Sequence, residues 1–372
     1  MINLSRDSRT SRTLSFLRFP LAALIVFIHT GFSNDTADPS FWFGKLLSEG
    51  VANVAVPAFF FISVYLFFAK YDYFGCHEYV YAMKRKFLTL GVPYFLWIAL
   101  VYYGMGAYTH FIGSPHPWEF YKIFWASSDG YVAKSIFGYE FSILSTPSGM
   151  GVLWFIRDLL VAMALSPLIW MIVRKFRMWS VILFLIPYFL YIAIPIQGFG
   201  LVALCFFPIG ATFSICGKTL EVRRRGIQLV ILTIFLVLLL TKFILDINSI
   251  HYHRIINQLM IISGVAASIV IGDIIMNCAK MDNISKWICF IGEASFFIYV
   301  GHALPIFNLL NKILTMLQDI PIVGYTLYYF LYWGLRLAIV TTTYFCMKRY
   351  CPRILSVLVG GRIAKPLKTT AA

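Results

Sequence analysis

Charge is what this chain has least of. Asp, Glu, Lys and Arg make up only 13% of 372 residues, and 16 of them are acidic against 31 basic. A chain so poor in charge, 60% hydrophobic and with a mean hydropathy of +0.79, lacks the polar surface of a soluble fold this size. It reads as an all-α, polytopic transmembrane helical bundle. A long basic block is missing too: the net charge of +15 is scattered in short clusters between apolar runs, as membrane topology is written. Nucleic acid is therefore rejected as a partner, and membrane lipid is expected. The seven cysteines (Cys76, Cys205, Cys216, Cys278, Cys289, Cys346, Cys351) include no C-x-x-C pair, which argues against zinc and against a disulfide framework. His110 with His116, and His251 with His253, lack a carboxylate or cysteine at ligand spacing, so no metal is expected. No small-residue cleavage site follows His29, and residues 1–13 are read as a retained cytoplasmic tail rather than a signal peptide.

Ten apolar runs are long enough to cross about 30 Å of hydrocarbon: 14–33, 50–69, 87–108, 152–173, 179–197, 199–216, 227–246, 255–277, 287–310 and 324–347. Lys and Arg gather before run one and after runs two, four, six, eight and ten, at Arg6 to Arg12, Lys70 with Lys84 to Lys86, Arg174 to Arg177, Lys218 to Arg225, Lys280 with Lys286, and Lys348 onward. The positive-inside rule then puts both termini in the cytoplasm. The expected division is a tail at 1–13, a membrane domain at 14–348 and a basic cytoplasmic tail at 349–372. An outer loop of about 109–151, rich in aromatic residues, suits either a carbohydrate-facing lid or an interfacial aromatic belt, and the belt accounts for most of those residues.

The stretch Leu14 to Thr30, LSFLRFPLAALIVFIHT, is apolar apart from Arg18 and His29, two groups that hydrocarbon solvates badly. Eleven residues at about 100° each return to within roughly 20° of the same helical face, about 16 Å further along the axis. One face thus carries a guanidinium low and an imidazole high, unless Pro20 kinks the segment. His302 is expected at the depth of His29. Arg157 and Asp158 lie near that level, and Asp158 either orients an imidazole or forms an ion pair with Arg157. Arg336 and Glu293 are expected to neutralise one another or to line the same cavity.

These segments resemble the integral-membrane acyltransferase 3 family, which O-acylates cell-envelope polysaccharides and other small acceptors. The most specific element is Arg18-x10-His29 in LRFPLAALIVFIHT, followed in order by VPAFFFISVYLFF (Val56 to Phe68), KRKFLTLGVPYFLW (Lys84 to Trp97), LWFIRDLL (Leu153 to Leu160) and FFIYVGH (Phe296 to His302). There are departures: Val64 stands where the family usually shows glycine, and the run Lys84, Arg85, Lys86 with Thr89 replaces a basic pair. The resemblance implies a multi-pass protein of the inner (plasma) membrane. It would move an acyl group, acetyl by first expectation, from cytoplasmic acyl-CoA (acetyl-CoA) to a hydroxyl of a glycan or other small acceptor. His29 would be the general base, with His302 stabilising the oxyanion or holding the acceptor and Asp158 orienting an imidazole. Arg18, Lys84, Arg85 and Lys86 would meet the phosphates of coenzyme A.

The alternative is a glycan or small-molecule transporter or flippase without acyl chemistry, which would more naturally show repeated halves with broken helices. The chain has no convincing internal repeat. A receptor or scaffold without turnover gives no reason for burying Arg18, His29 and His302. The charge alternation itself is testable by labelling single cysteines with an impermeant reagent. Sites at 174–177 and 218–225 should stay unlabelled in intact cells while a site beside His116 reacts, and labelling at position 223 would overturn the map.

Overall fold

The computed structural model describes residues 9–111, 120–125, 132–134, 140–142, 146–147, 149–194, 196, 199–248, 254–320 and 324–362. His116, His251 and His253, and most of the expected outer loop, lie outside them. Each of the ten expected runs is largely helical. The chain opens with α1 (Arg9–Ile28), then α2 (Pro39–Phe43), α3 (Ala55–Phe68), α4 (Cys76–Lys86), α5 (Val92–Phe111) and α6 (Phe120–Phe124). The middle of the bundle is α7 (Trp154–Ala164), α8 (Ser166–Phe176), α9 (Ser180–Leu190), α10 (Leu201–Ile215), α11 (Arg225–Ile247) and α12 (Arg254–Met276). It closes with α13 (Asp282–Ile291), α14 (Ser295–Gly301), α15 (Phe307–Leu314), α16 (Gly324–Tyr350) and α17 (Pro352–Leu358). A short hairpin, β1 (Val132–Lys134) against β2 (Glu140–Ser142), supplies the strands among the described residues.

Six helical stretches are long and apolar enough to cross a membrane, or seven if the bent pair Gly151–Ala164 and Ser166–Leu190 counts as one span. The bend of 60° has a covalent cause, because Pro167 has no N–H to give to the preceding turn and cannot continue α7. Helix α11 shows what surrounds the bundle. Only Leu239 and Lys242 on it are buried, while Leu229, Val230, Leu236, Val237 and Ile244 are all more than half exposed, an arrangement suited to a lipid environment.

The first helix starts earlier than expected. Arg9 forms a two-pronged bond to the buried Asp273 of α12, both contacts 2.5 Å, and Thr10 and Thr13 are buried, so the described helix already includes residues 9–13 ahead of Leu14. Pro20 consequently sits in the helix interior, not in its first turn, and α1 runs through it unbroken. Helix α3 packs closely on α10. Val64 is fully buried and its side chain abuts Gly210, where a Cβ would come within 2.6 Å of it and 2.5 Å of the Phe61 carbonyl oxygen. The bulk gained at position 64 is accommodated by a glycine on the facing helix.

The C-terminal stretch also differs from expectation. Helix α16 runs on to Tyr350, and α17 then folds back on the start of α5, burying Leu355, Leu358 and Val359 instead of trailing as a tail. The Trp97 indole N–H donates to the Leu358 carbonyl at 3.0 Å. Gly360 (φ +62°) and Gly361 (φ +73°) turn the chain through the left-handed region, which side chains with a Cβ resist. They differ in one respect: a Cβ on Gly360 would lie 2.1 Å from the Thr89 carbonyl oxygen, whereas one on Gly361 would meet open space. Gly361→Ala should therefore cost only the backbone strain, about 1–2 kcal/mol, and Gly360→Ala clearly more. Melting temperatures in detergent compare the two, and equal losses would show that α17 does not seat against Thr89.

Candidate functional site

Helix ends leave carbonyl groups without intrahelical partners, and buried ones must find a donor. Two helices end side by side here. Helix α1 stops at Ile28 with His29 just beyond, and α14 stops at Gly301 with His302 as its cap. Arg336 of α16 answers both: its Nη1 donates to the His29 carbonyl at 2.8 Å, and its Nε (3.1 Å) and Nη2 donate to the His302 carbonyl. A cation also complements the negative ends of two helix dipoles. The guanidinium is nearly sealed, with its carbon 4.8 Å from the Tyr332 ring centroid and 5.6 Å from that of Phe307.

The two imidazoles meet as a result, 5.1 Å between centroids and tilted by 35°. His302 is fully buried and His29 is exposed. The His302 Nδ1 lies 3.1 Å from the Ile298 carbonyl, which can only accept, so Nδ1 carries the proton. Its Nε2 is then a lone-pair acceptor, and it is buried without a partner. Tyr299 stands 6.5 Å from the same ring, its hydroxyl tied to the Val152 carbonyl. The site is thus an open imidazole backed by a sealed one whose free nitrogen can only accept.

Two expected pairings are corrected. Arg336 does not neutralise Glu293, which pairs with Lys348 at 2.5 Å. Asp158 orients neither imidazole: its Oδ1 accepts from Arg157 at 2.8 and 3.0 Å, and its Oδ2 from the Gly200 amide at the start of α10, at 2.8 Å. That carboxylate neutralises the buried Arg157 and caps a helix, which leaves neither oxygen for a histidine. Arg157 in turn donates to the Trp125 carbonyl and lies over the Trp125 ring. Together with the bond from the Tyr94 hydroxyl to the Phe124 carbonyl, this pins α6 beside α5 and α7 around an aromatic cavity of about 340 Å³ that contains neither histidine.

Toward the opposite end, Arg18 is exposed on α1, eleven residues and about 16 Å from His29 along the helix. It does not stand alone. Arg362, delivered by the turn after α17, stacks over Phe296 at 4.3 Å within electrostatic reach of Arg18. Lys86 lies over Phe67 at 5.6 Å, within reach of Lys70, Arg85 and Arg362. Loss of surrounding water and then the charge of Arg85 hold the Lys70 ammonium below its ordinary pKa. Lys84 is exposed and outside this group; two positions from Lys86 means about 200° around the helix. Among the described residues no carboxylate forms an ion pair with any of these cations. No group of three or more His, Cys, Asp or Glu suited to a metal occurs among them either. Sequence reasoning singled out Arg336 but misassigned its partner, because carbonyl acceptors leave no trace in residue identity. It placed Arg362 only in a tail.

The fold and these two clusters define an integral-membrane protein with a polar site built between its helices. The family comparison is specific about its class. An acyltransferase domain model, that of the acyltransferase 3 family, matches residues 12–345, and the chain belongs to that family. It is therefore a membrane acyltransferase. The succinoglycan biosynthesis protein ExoH of Rhizobium meliloti (strain 1021) is 23% identical over 382 residues, covering 96% of this chain and 94% of that one. No solved structure matches.

The double carbonyl contact of Arg336 makes a measurable prediction. Arg336→Gln should lower stability by about 1–3 kcal/mol for each helix-end carbonyl left without its donor. Arg336→Lys, which keeps the charge but lacks the fork needed to reach two helices, should recover only part of it. A lysine variant with native melting temperature would show that the charge alone matters.

Proposed function

We propose that this protein transfers an acyl group, acetyl in the simplest case, from cytoplasmic acyl-CoA to a hydroxyl of an envelope polysaccharide, with His29 as general base. The observation that carries the reading is the exposed imidazole of His29 set against the buried His302, 5.1 Å apart, on the helix that also bears Arg18. The family membership supports acyl transfer over transport, and the name of the relative, a succinoglycan biosynthesis protein, supports a polysaccharide acceptor.

The chemistry follows from the residues. A neutral His29 takes the proton of the acceptor hydroxyl as its oxygen attacks the thioester carbonyl. The C–S bond breaks, and the imidazolium returns the proton to the leaving thiolate. His302, holding its one proton at Nδ1, cannot donate from Nε2 to an oxyanion. Its role in this reading is to accept a hydrogen bond from the acceptor and hold it against His29. Arg18, Arg85 and Lys86 supply positive charge for the donor's phosphates at the cytoplasmic face of the inner membrane. Lys84 then contributes only long-range attraction, screened within about 10 Å at 0.1 M salt.

His29→Ala should lose most turnover, on the order of the 10²- to 10⁴-fold that a positioned acid–base group provides, while acyl-CoA binding and melting temperature stay near native. His29→Gln preserves size and hydrogen bonding but cannot take up a proton at neutral pH, so it should be nearly as inactive. Acetyl transfer, binding and thermal stability are measured on both variants. Near-native transfer by the glutamine variant would remove His29 from the role of base and leave it a structural one.

A further inference from the structure

The cation brought in by the C-terminal arm forms no ion pair with an acid among the described residues. Arg362 is exposed, and its polar bond is from Nη1 to the Val359 carbonyl at 3.0 Å, within its own turn. Its guanidinium carbon nevertheless lies over Phe296, 4.3 Å from the ring centroid. Arg18, on α1, packs one turn away against the same strip of chain: a Cβ on Gly292 would sit 3.6 Å from the Arg18 Cβ, and residues 292 and 296 are four apart, about 6 Å along a helix. Two arginines therefore approach one short surface from two ends of the sequence. The carboxylate nearest in sequence, Glu293, is taken by Lys348.

Among the described residues no acid forms an ion pair with either guanidinium, and two such cations near one another are unfavourable in themselves and favoured when an anion sits between them. The arm is held for the purpose by three separate features: the Trp97 bond to Leu358, the seat of Gly360 on Thr89, and two consecutive glycines in the left-handed region that bring the chain back. Beside the pair stands Lys86, and the segment Phe87–Gly91 that follows it is a π-helix, a local widening often found where a helix serves a site. Planar forks suit phosphate oxygens better than ammonium groups do.

We infer that Arg18 and Arg362 form a two-armed guanidinium clamp for a phosphate group of a soluble ligand, so that the C-terminal arm is part of the donor site. This rests on the acyl-CoA reading above for the identity of that ligand, but the clamp itself requires only phosphate chemistry. A phospholipid headgroup offers the same chemistry, and the two sources can be told apart.

The test uses the full chain in detergent and in nanodiscs, with coenzyme A and inorganic pyrophosphate as probes. Arg362→Gln should raise the Kd for coenzyme A about 10- to 100-fold, the loss of one charge-assisted contact. Arg362→Lys should raise it by less, and Arg353→Gln, exposed on the same arm, should leave it unchanged. Native affinity in Arg362→Gln would overturn the clamp while leaving the donor reading intact. Should the glutamine variant be unstable, native affinity in Arg362→Lys would overturn it equally. Wild-type protein that ignores coenzyme A yet binds pyrophosphate through Arg362 would sustain the clamp and sink the donor reading. Binding of neither probe would overturn the clamp, as would an Arg362 effect confined to nanodiscs containing phosphatidylglycerol.

Discussion

The structure depends most on one buried cation answering two helix ends. Without Arg336, α14 would finish in the interior with the His302 carbonyl left without its donors, and the His29 carbonyl at the end of α1 would lose its contact as well. With it, the two helices must end at one height and close together, and their terminal histidines are brought face to face as a geometric consequence. The interaction is made to backbone atoms, so it fixes the path of the chain and leaves both imidazole rings available for chemistry.

The rest of the molecule separates two kinds of polarity along α1. At one end stand guanidinium and ammonium groups with no acid paired to them among the described residues; at the other stand two imidazoles and one sealed guanidinium. Between them α1 presents apolar side chains, many of them fully buried. Charged groups far from an aqueous face are costly in a membrane, and here Arg9 pairs with Asp273, Arg157 pairs with Asp158, and Arg336 is answered by two backbone carbonyls.

The buried pairs do scaffolding work that frees the histidines from it. Arg157 and Asp158 are adjacent in sequence and mutually neutral, and through Trp125 and Gly200 they tie α6 and the start of α10 to α7. An ion pair of that kind contributes little net stability when compared with apolar residues, but removing one partner strands a charge. It is better understood as a fixed point for irregular segments than as part of the reaction.

The sequence by itself determined the class and the broad layout. Too little charge to clothe a soluble surface, apolar runs of spanning length, and Arg18 spaced eleven residues from His29 are all local properties that survive without knowing any contact. That His302 would lie at the depth of His29 was legible from the rise per residue along a helix, whereas their contact was not. What only the tertiary structure decided were the partners. Arg336 binds carbonyls, which every residue has and no residue type advertises. Asp158 binds its neighbour and a distant amide rather than an imidazole. Arg9, ahead of the apolar run, is held in the first helix by Asp273, more than 250 residues later. Arg362 reaches Arg18 because two glycines and the Thr89 carbonyl fold the end of the chain back onto its beginning. Composition and period are fixed by the order of residues, whereas a hydrogen bond between distant segments is fixed only once packing has chosen which groups are near.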